Sequence, residues 1–156
     1  MPSNETEKQY NELKKKFKLP EFKELDFDFE ISDLEETKFL IRAIIIRIAE
    51  KLDFYTTIIE EIIQPDASNL YAMHEGRFFD DDEKKQMYDF YKMLMQINRH
   101  SVVLSLEHNE KEEAEFISGT FLQWKEIKKE LVRYINRMKD SWKEETYSKE
   151  DVGYLG

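Results

Sequence analysis

Cysteine is absent, so the chain has no disulfide framework, no thiolate nucleophile and no thiolate metal site. A cysteine-free chain suits a reducing compartment, and a cytoplasmic location is expected. Breaks are few as well. Four glycines and three prolines in 156 residues leave little enforced turning, which favours long helices over many short strands. Histidine occurs three times, and none follows a glutamate by three positions or lies four from another histidine. The spacings that bundle di-metal centres and zinc proteases need are therefore missing. There is no glycine-rich phosphate loop and no Gly-x-Ser-x-Gly elbow. No catalytic, cofactor-binding or metal-ligating residue stands out, and no cofactor is expected.

Long apolar runs are lacking too. The closest, residues 39–49, is too short for a membrane span and carries Arg42 and Arg47. The opening Met-Pro-Ser-Asn-Glu has neither a basic region nor an apolar stretch, so no secretory leader is expected. Positive charge is in the minority: 24 Lys and Arg face 34 Asp and Glu, a net charge of −10. Attraction to phosphate, as in nucleic acid or an anionic membrane, is then repulsive on average.

What the chain does have is helical periodicity, in a length that fits one domain with a sizeable core. The stretch from Ser32 to Gln64 organises it. Between Phe39 and Ile63 stand nine isoleucines, and Ile41, Ile45, Ile48, Leu52, Tyr55, Ile59 and Ile62 alternate gaps of four and three. That is the seam of a helix packed along its whole length. Ser32 with Glu35 reads as a capping box at its start and Pro65 blocks its end, predicting a rod of roughly 45 Å. Phe39, Leu40, Ile44 and Ile46 add apolar flanks, so the rod is expected to be surrounded by its neighbours.

Two more long helices follow. One, over about 81–108, opens with an Asp80/Glu83 capping signature and carries Met87, Phe90, Leu94, Ile97, Ser101 and Leu104, with Tyr91, Met95 and Val102 widening that face. Asn109 with Glu112 repeats the signature, so the third helix starts at once and the two form a tight hairpin. Its core side runs through Ile117, Phe121, Trp124, Ile127, Leu131, Tyr134, Ile135, Met138 and Trp142. Between the first and second long helices, residues 67–75 are predicted to form a turn or two of helix with Gly76 just past its end. Residues 5–18 read as a short amphipathic helix with Tyr10, Leu13 and Phe17 on one side. Leu25 to Ile31 alternates apolar and acidic residues with period two, a strand pattern with no partner strand. It reads as an extended arm laying Leu25, Phe27, Phe29 and Ile31 along the bundle, pairing as a strand with a second copy, or docking on another protein.

The expected fold is therefore all-α: an antiparallel bundle of three long helices plus a short N-terminal helix and an extended N-terminal arm. By residue, that is a helix in 1–20, an acidic-aromatic arm in 21–31, a helical core in 32–142 and a flexible polar tail in 143–156.

Function is the harder inference. On the third helix seven basic residues oppose three acidic ones over 125–143, and Lys125, Lys129, Arg133 and Arg137 form one stripe. A long connection holding His74, Glu75 and Arg77 is where a loop site would lie. Of the acidic clusters Asp80–Glu83 and Glu107–Glu115 the second contains Glu-x-x-Glu spacings suited to Mg²⁺, yet both fall at predicted helix starts, where negative charge is favoured anyway. The reading these residues favour is a non-enzymatic interaction protein: a small subunit, adaptor or self-associating scaffold that binds a protein partner or itself, most simply as a homodimer. It would use apolar helix surface and the acidic-aromatic arm. The alternatives are a nucleic-acid-associated factor using the basic stripe and a Mg-dependent hydrolase using the acidic clusters.

Overall fold

The computed structural model describes residues 2–35 and 38–143. It is all-α, as the periodicity predicts. Among the described residues the elements run α1 (Pro2–Lys16), α2 (Phe22–Phe29), a 3-10 turn (Ile31–Asp33), α3 (Leu40–Ile63), α4 (Leu70–Gly76), α5 (Asp81–Glu107) and α6 (Glu110–Ser141), with no strand.

The three long helices α3, α5 and α6 make the body. Ile45 and Ile46 near the start of α3 share a groove with Ser101 and Val102 near the end of α5, and Ile63 at the other end of α3 sits beside Lys84 and Tyr88. The two helices are therefore antiparallel. Arg42 meets Glu113 at 3.6 Å, which puts the starts of α3 and α6 together. Two of the three predicted caps are in place. At α5 the Asp80 carboxylate accepts from the Glu83 N–H at 2.8 Å, and Glu83 accepts from the Asp80 N–H at 3.3 Å, closing the capping box. Asn109 accepts from the Glu112 N–H at 3.1 Å, so only His108 and Asn109 separate α5 from α6.

The isoleucine seam is the core. Ile41, Ile45, Ile48, Leu52, Ile59 and Ile62 are buried with Tyr55 half-covered, against Met87, Leu94, Ile117, Ile127 and Leu131. Each such side chain withdrawn from water contributes about 1.5–3 kcal/mol. The rod is not surrounded, however: Ile46 and Phe54 are 57% and 64% exposed, because α5, α6 and α2 cover three sides of α3 and leave the fourth to water. Val102, expected to widen the core face of α5, also lies outside.

The rod starts at Leu40 rather than Ser32, which shortens it to 24 residues, about 36 Å. Ser32 sits in the 3-10 turn, where its N–H donates to Asp26 at 2.7 Å, while the Leu34 carbonyl accepts from the Thr6 hydroxyl at 3.0 Å. That segment is used in docking α1 and α2, so the Ser32/Glu35 pattern caps nothing.

The extended arm is the larger correction. Residues 22–29 are helical, and Phe22, Leu25 and Phe29, at gaps of three and four, are buried. Alternation of period two and a helical face coincide at Leu25 and Phe29, and tertiary contacts decide between them. The carbonyls left open at the end of α2 are met by cations from α3: Lys51 donates to the Asp28 carbonyl, and Arg47 donates to the Glu30 carbonyl at 2.7 Å and pairs with Asp33 at 3.0 Å. Lys128 of α6 pairs with the Asp28 carboxylate at 2.9 Å. Phe29 packs on Trp124, ring centroids 5.1 Å apart. At the front, Tyr10 of α1 is wholly buried and donates to the Pro20 carbonyl at 2.6 Å. Gly76 is the last residue of α4 rather than a left-handed residue beyond it. Of the tail expected over 143–156, residues 144–156 lie outside the described residues.

Candidate functional site

The residues singled out by sequence separate into those used inside the molecule and those left facing water. Of the arm residues, Leu25, Phe29 and Ile31 are core; only Phe27 faces out, 81% exposed, with the Lys128 ammonium 5.6 Å from its ring. Four apolar groups presented together to a partner are therefore not on offer at Leu25, Phe27, Phe29 and Ile31.

The basic stripe divides in the same way. Arg133 donates to Glu130 at 2.7 Å and to the Tyr134 hydroxyl at 3.1 Å. Arg137 pairs with Glu83, donates to the Phe78 carbonyl and lies 4.5 Å from the Phe79 ring. These two arginines fasten α6 to itself and to the start of α5. Only Lys125 and Lys129 stay exposed without an ion-pair partner among the described residues. The Phe29–Trp124 contact lies on the inner side of the same helix, and the Trp124 indole N–H is buried there with no hydrogen-bond partner among the described residues.

The loop residues turn out to be a clamp. His74 stacks on Trp142 with centroids 4.0 Å apart, and its Nε2 lies 3.1 Å from the Ser141 carbonyl. The Trp142 indole N–H donates to Glu75 at 3.0 Å. Together they bolt α4 to the end of α6, while Arg77 is exposed beside them. His100 is elsewhere, edge-on to Phe116 near the start of α6.

Four of the nine acids in the two clusters, Asp80, Glu83, Glu110 and Glu113, are used in caps and ion pairs. Glu83 closes the α5 box and holds Arg137; Glu110 pairs with Lys16 at 3.3 Å. Glu113 is buried beside Arg42, and burial pushes its carboxyl above the usual glutamate range, with Arg42 pulling the other way. Among the described residues no group of three or more His, Asp or Glu is placed to hold a metal ion. Among them, too, no helix is long and apolar enough to cross a membrane.

What sequence reasoning missed is the open side of the α3/α5 pair. A groove of about 270 Å³ runs between the first turns of α3 and the last turns of α5, floored by Ile45, Ala49 and Leu104 and edged by Ile46 and Val102. Arg42, Glu113 and His108 close one end of it. Leu106, 77% exposed, continues the apolar edge along α5. The signal was the flank position of Ile46 together with the Val102 and Leu106 positions, but period alone does not say which flank a neighbour covers. Comparison with protein-family models, with curated proteins and with solved structures gave no match.

Proposed function

We propose that this chain is a non-enzymatic interaction protein that presents the outer α3/α5 face to a helical protein surface, apolar along its middle and charged on both flanks. The observation that carries the reading is the groove itself, where Ile46, Val102 and Leu106 are left in water beside a continuous apolar floor. An apolar edge of this kind on an otherwise strongly charged chain is the mark of a surface that is covered in use. A helical partner suits it because the groove is straight and flanked by two parallel ridges, the shape into which an amphipathic helix lays its apolar side.

The acidic-cluster and basic-stripe alternatives have less to support them. Asp80, Glu83, Glu110 and Glu113 of the first are engaged in caps and ion pairs and no three of its acids converge among the described residues, while the stripe of the second is reduced to Lys125 and Lys129 on a chain of net charge −10.

The test is a photo-crosslinking residue at position 46, with one at exposed Leu122 of α6 as control, in the full chain expressed in its own cells. Specific protein adducts from position 46 and none from position 122 are expected. An absence of adducts at 46, or equal labelling at both, would defeat the reading.

A further inference from the structure

The outer face of α3 and α5 is complementary to itself, and we propose that its occupant is a second copy of this chain, in a two-fold dimer that lays α3 of each protomer over α5 of the other. This rests on the reading that the face is the interaction surface, and names what covers it.

Two stripes carry the argument. On α3, Ile46, Glu50, Asp53, Thr57 and Glu60 alternate gaps of four and three, and all five are exposed. On α5, Tyr88, Lys92, Met95, Arg99, Val102 and Leu106 do the same, with only Met95 half-covered. Such spacing keeps each set on one side of its helix. Every charge on the α3 stripe is negative and every charge on the α5 stripe is positive. Glu50 and Asp53 have no ion-pair partner among the described residues. Lys92 pairs with Asp89 at 3.2 Å along its own helix, an exposed contact of the kind that contributes little and is readily exchanged.

Geometry turns these stripes into a fit. Within one protomer the helices are antiparallel, with Ile46 and Val102 lining one groove and Glu60 beside Tyr91, so the two stripes match in height to within about one turn. A two-fold axis running along the groove, parallel to both helices, leaves every residue at its own height. It sets Ile46 of one copy near Val102 of the other, brings Glu50 and Asp53 within side-chain reach of Arg99, and places Lys92 between Asp53 and Glu60. The same contacts form twice, as an isologous interface requires. The product is four helices in which every neighbour is antiparallel. An axis perpendicular to the helices would instead stack α3 on α3, acid against acid. The area also suffices. The 27 residues of α5 span about 40 Å, and two helices side by side are about 20 Å across, so the face offers about 800 Å² per protomer, the amount a stable dimer buries.

The experiment uses two charge-reversed variants of the full chain. One is Glu50→Arg with Asp53→Arg; the other is Lys92→Glu with Arg99→Glu. All four sites are exposed, so both variants are expected to keep the wild-type circular dichroism and thermal unfolding. Sedimentation velocity across a concentration series should show a wild-type dimer and about tenfold or greater weakening in each variant alone. An equimolar mixture of the two should recover the dimer, because each copy then supplies the charge the other lacks. If Glu50 and Arg99 attracted one another only within a chain, mixing would recover nothing. A wild type that is monomeric throughout, variants that still dimerise, or a mixture that stays monomeric overturns the proposal. The crosslinker at position 46 separates the two failures: adducts to a different protein would sink self-association while leaving the interaction surface standing, and no adducts at all would sink both.

Discussion

At the scale of single residues, Glu113 is where the interior makes an electrostatic demand. It is buried at the start of α6, with Arg42 3.6 Å away as its ion-pair partner. Burial raises the pKa of its carboxyl and Arg42 opposes the rise. A raised folded pKa means the fold favours the protonated acid. The contribution of Glu113 to stability is therefore fully present below the ordinary glutamate range, about 4.3, and is lost as pH climbs through the raised value. Glu113→Gln removes that titration. Its unfolding free energy relative to the wild type, followed by urea denaturation, is expected to improve as pH rises above the ordinary glutamate range. A variant that loses ground over the same interval would show that the Arg42 contact outweighs the cost of burial.

At the scale of elements, α2 shows how far a sequence can be read and where reading stops. The seam of α3, the Asp80/Glu83 box and the Asn109 cap were legible, because each depends on residues within one turn of one another. The short N-terminal helix was legible for the same reason, in the spacing of Tyr10, Leu13 and Phe17. The fate of residues 22–29 was not, because it is decided by Arg47, Lys51 and Lys128, which lie far along the chain and reach the end of α2 only once the bundle has formed. The start of α3 was misread likewise, since Ser32 bonds to Asp26 instead of capping the rod. The candidate surface was hidden by the same limitation: Val102 has the spacing of a core residue until it is known which side of α5 is left uncovered. These contacts make a prediction for α2. Arg47→Ala combined with Lys51→Ala leaves its terminal carbonyls without their cations. Amide hydrogen exchange over 22–30 should speed up by about tenfold or more while exchange in the seam of α3 stays unchanged. Equal acceleration in both would mean that α2 and the bundle open as one unit.

For the whole molecule, the organising contrast is between a closed side and an open one. α1, α2 and α4 are laid over the ends and flanks of the long helices, and their contacts use up most of the groups that sequence alone offers as functional. His74 holds Trp142, Arg137 holds Glu83, and Phe29 holds Trp124. What stays open is the α3/α5 face, with acids along one helix and bases along the other. A strongly acidic chain can still be self-complementary when two of its cations, Lys92 and Arg99, share a face with Glu50 and Asp53.

The borrowed capping of α2 has one more consequence. Its helix is lent by the bundle, and Leu25 to Ile31 keeps a latent period-two pattern whose acidic side repels copies of itself at neutral pH. Asp26→Asn, Asp28→Asn and Glu30→Gln together remove that charge, and the Lys128–Asp28 tie goes with it. Fibrils nucleated by this short stretch are then expected, slowed by Phe27→Lys, which leaves the native core untouched because Phe27 points into water. Thioflavin fluorescence reads the outcome, and fibrils that form just as fast with the lysine would place their nucleus elsewhere.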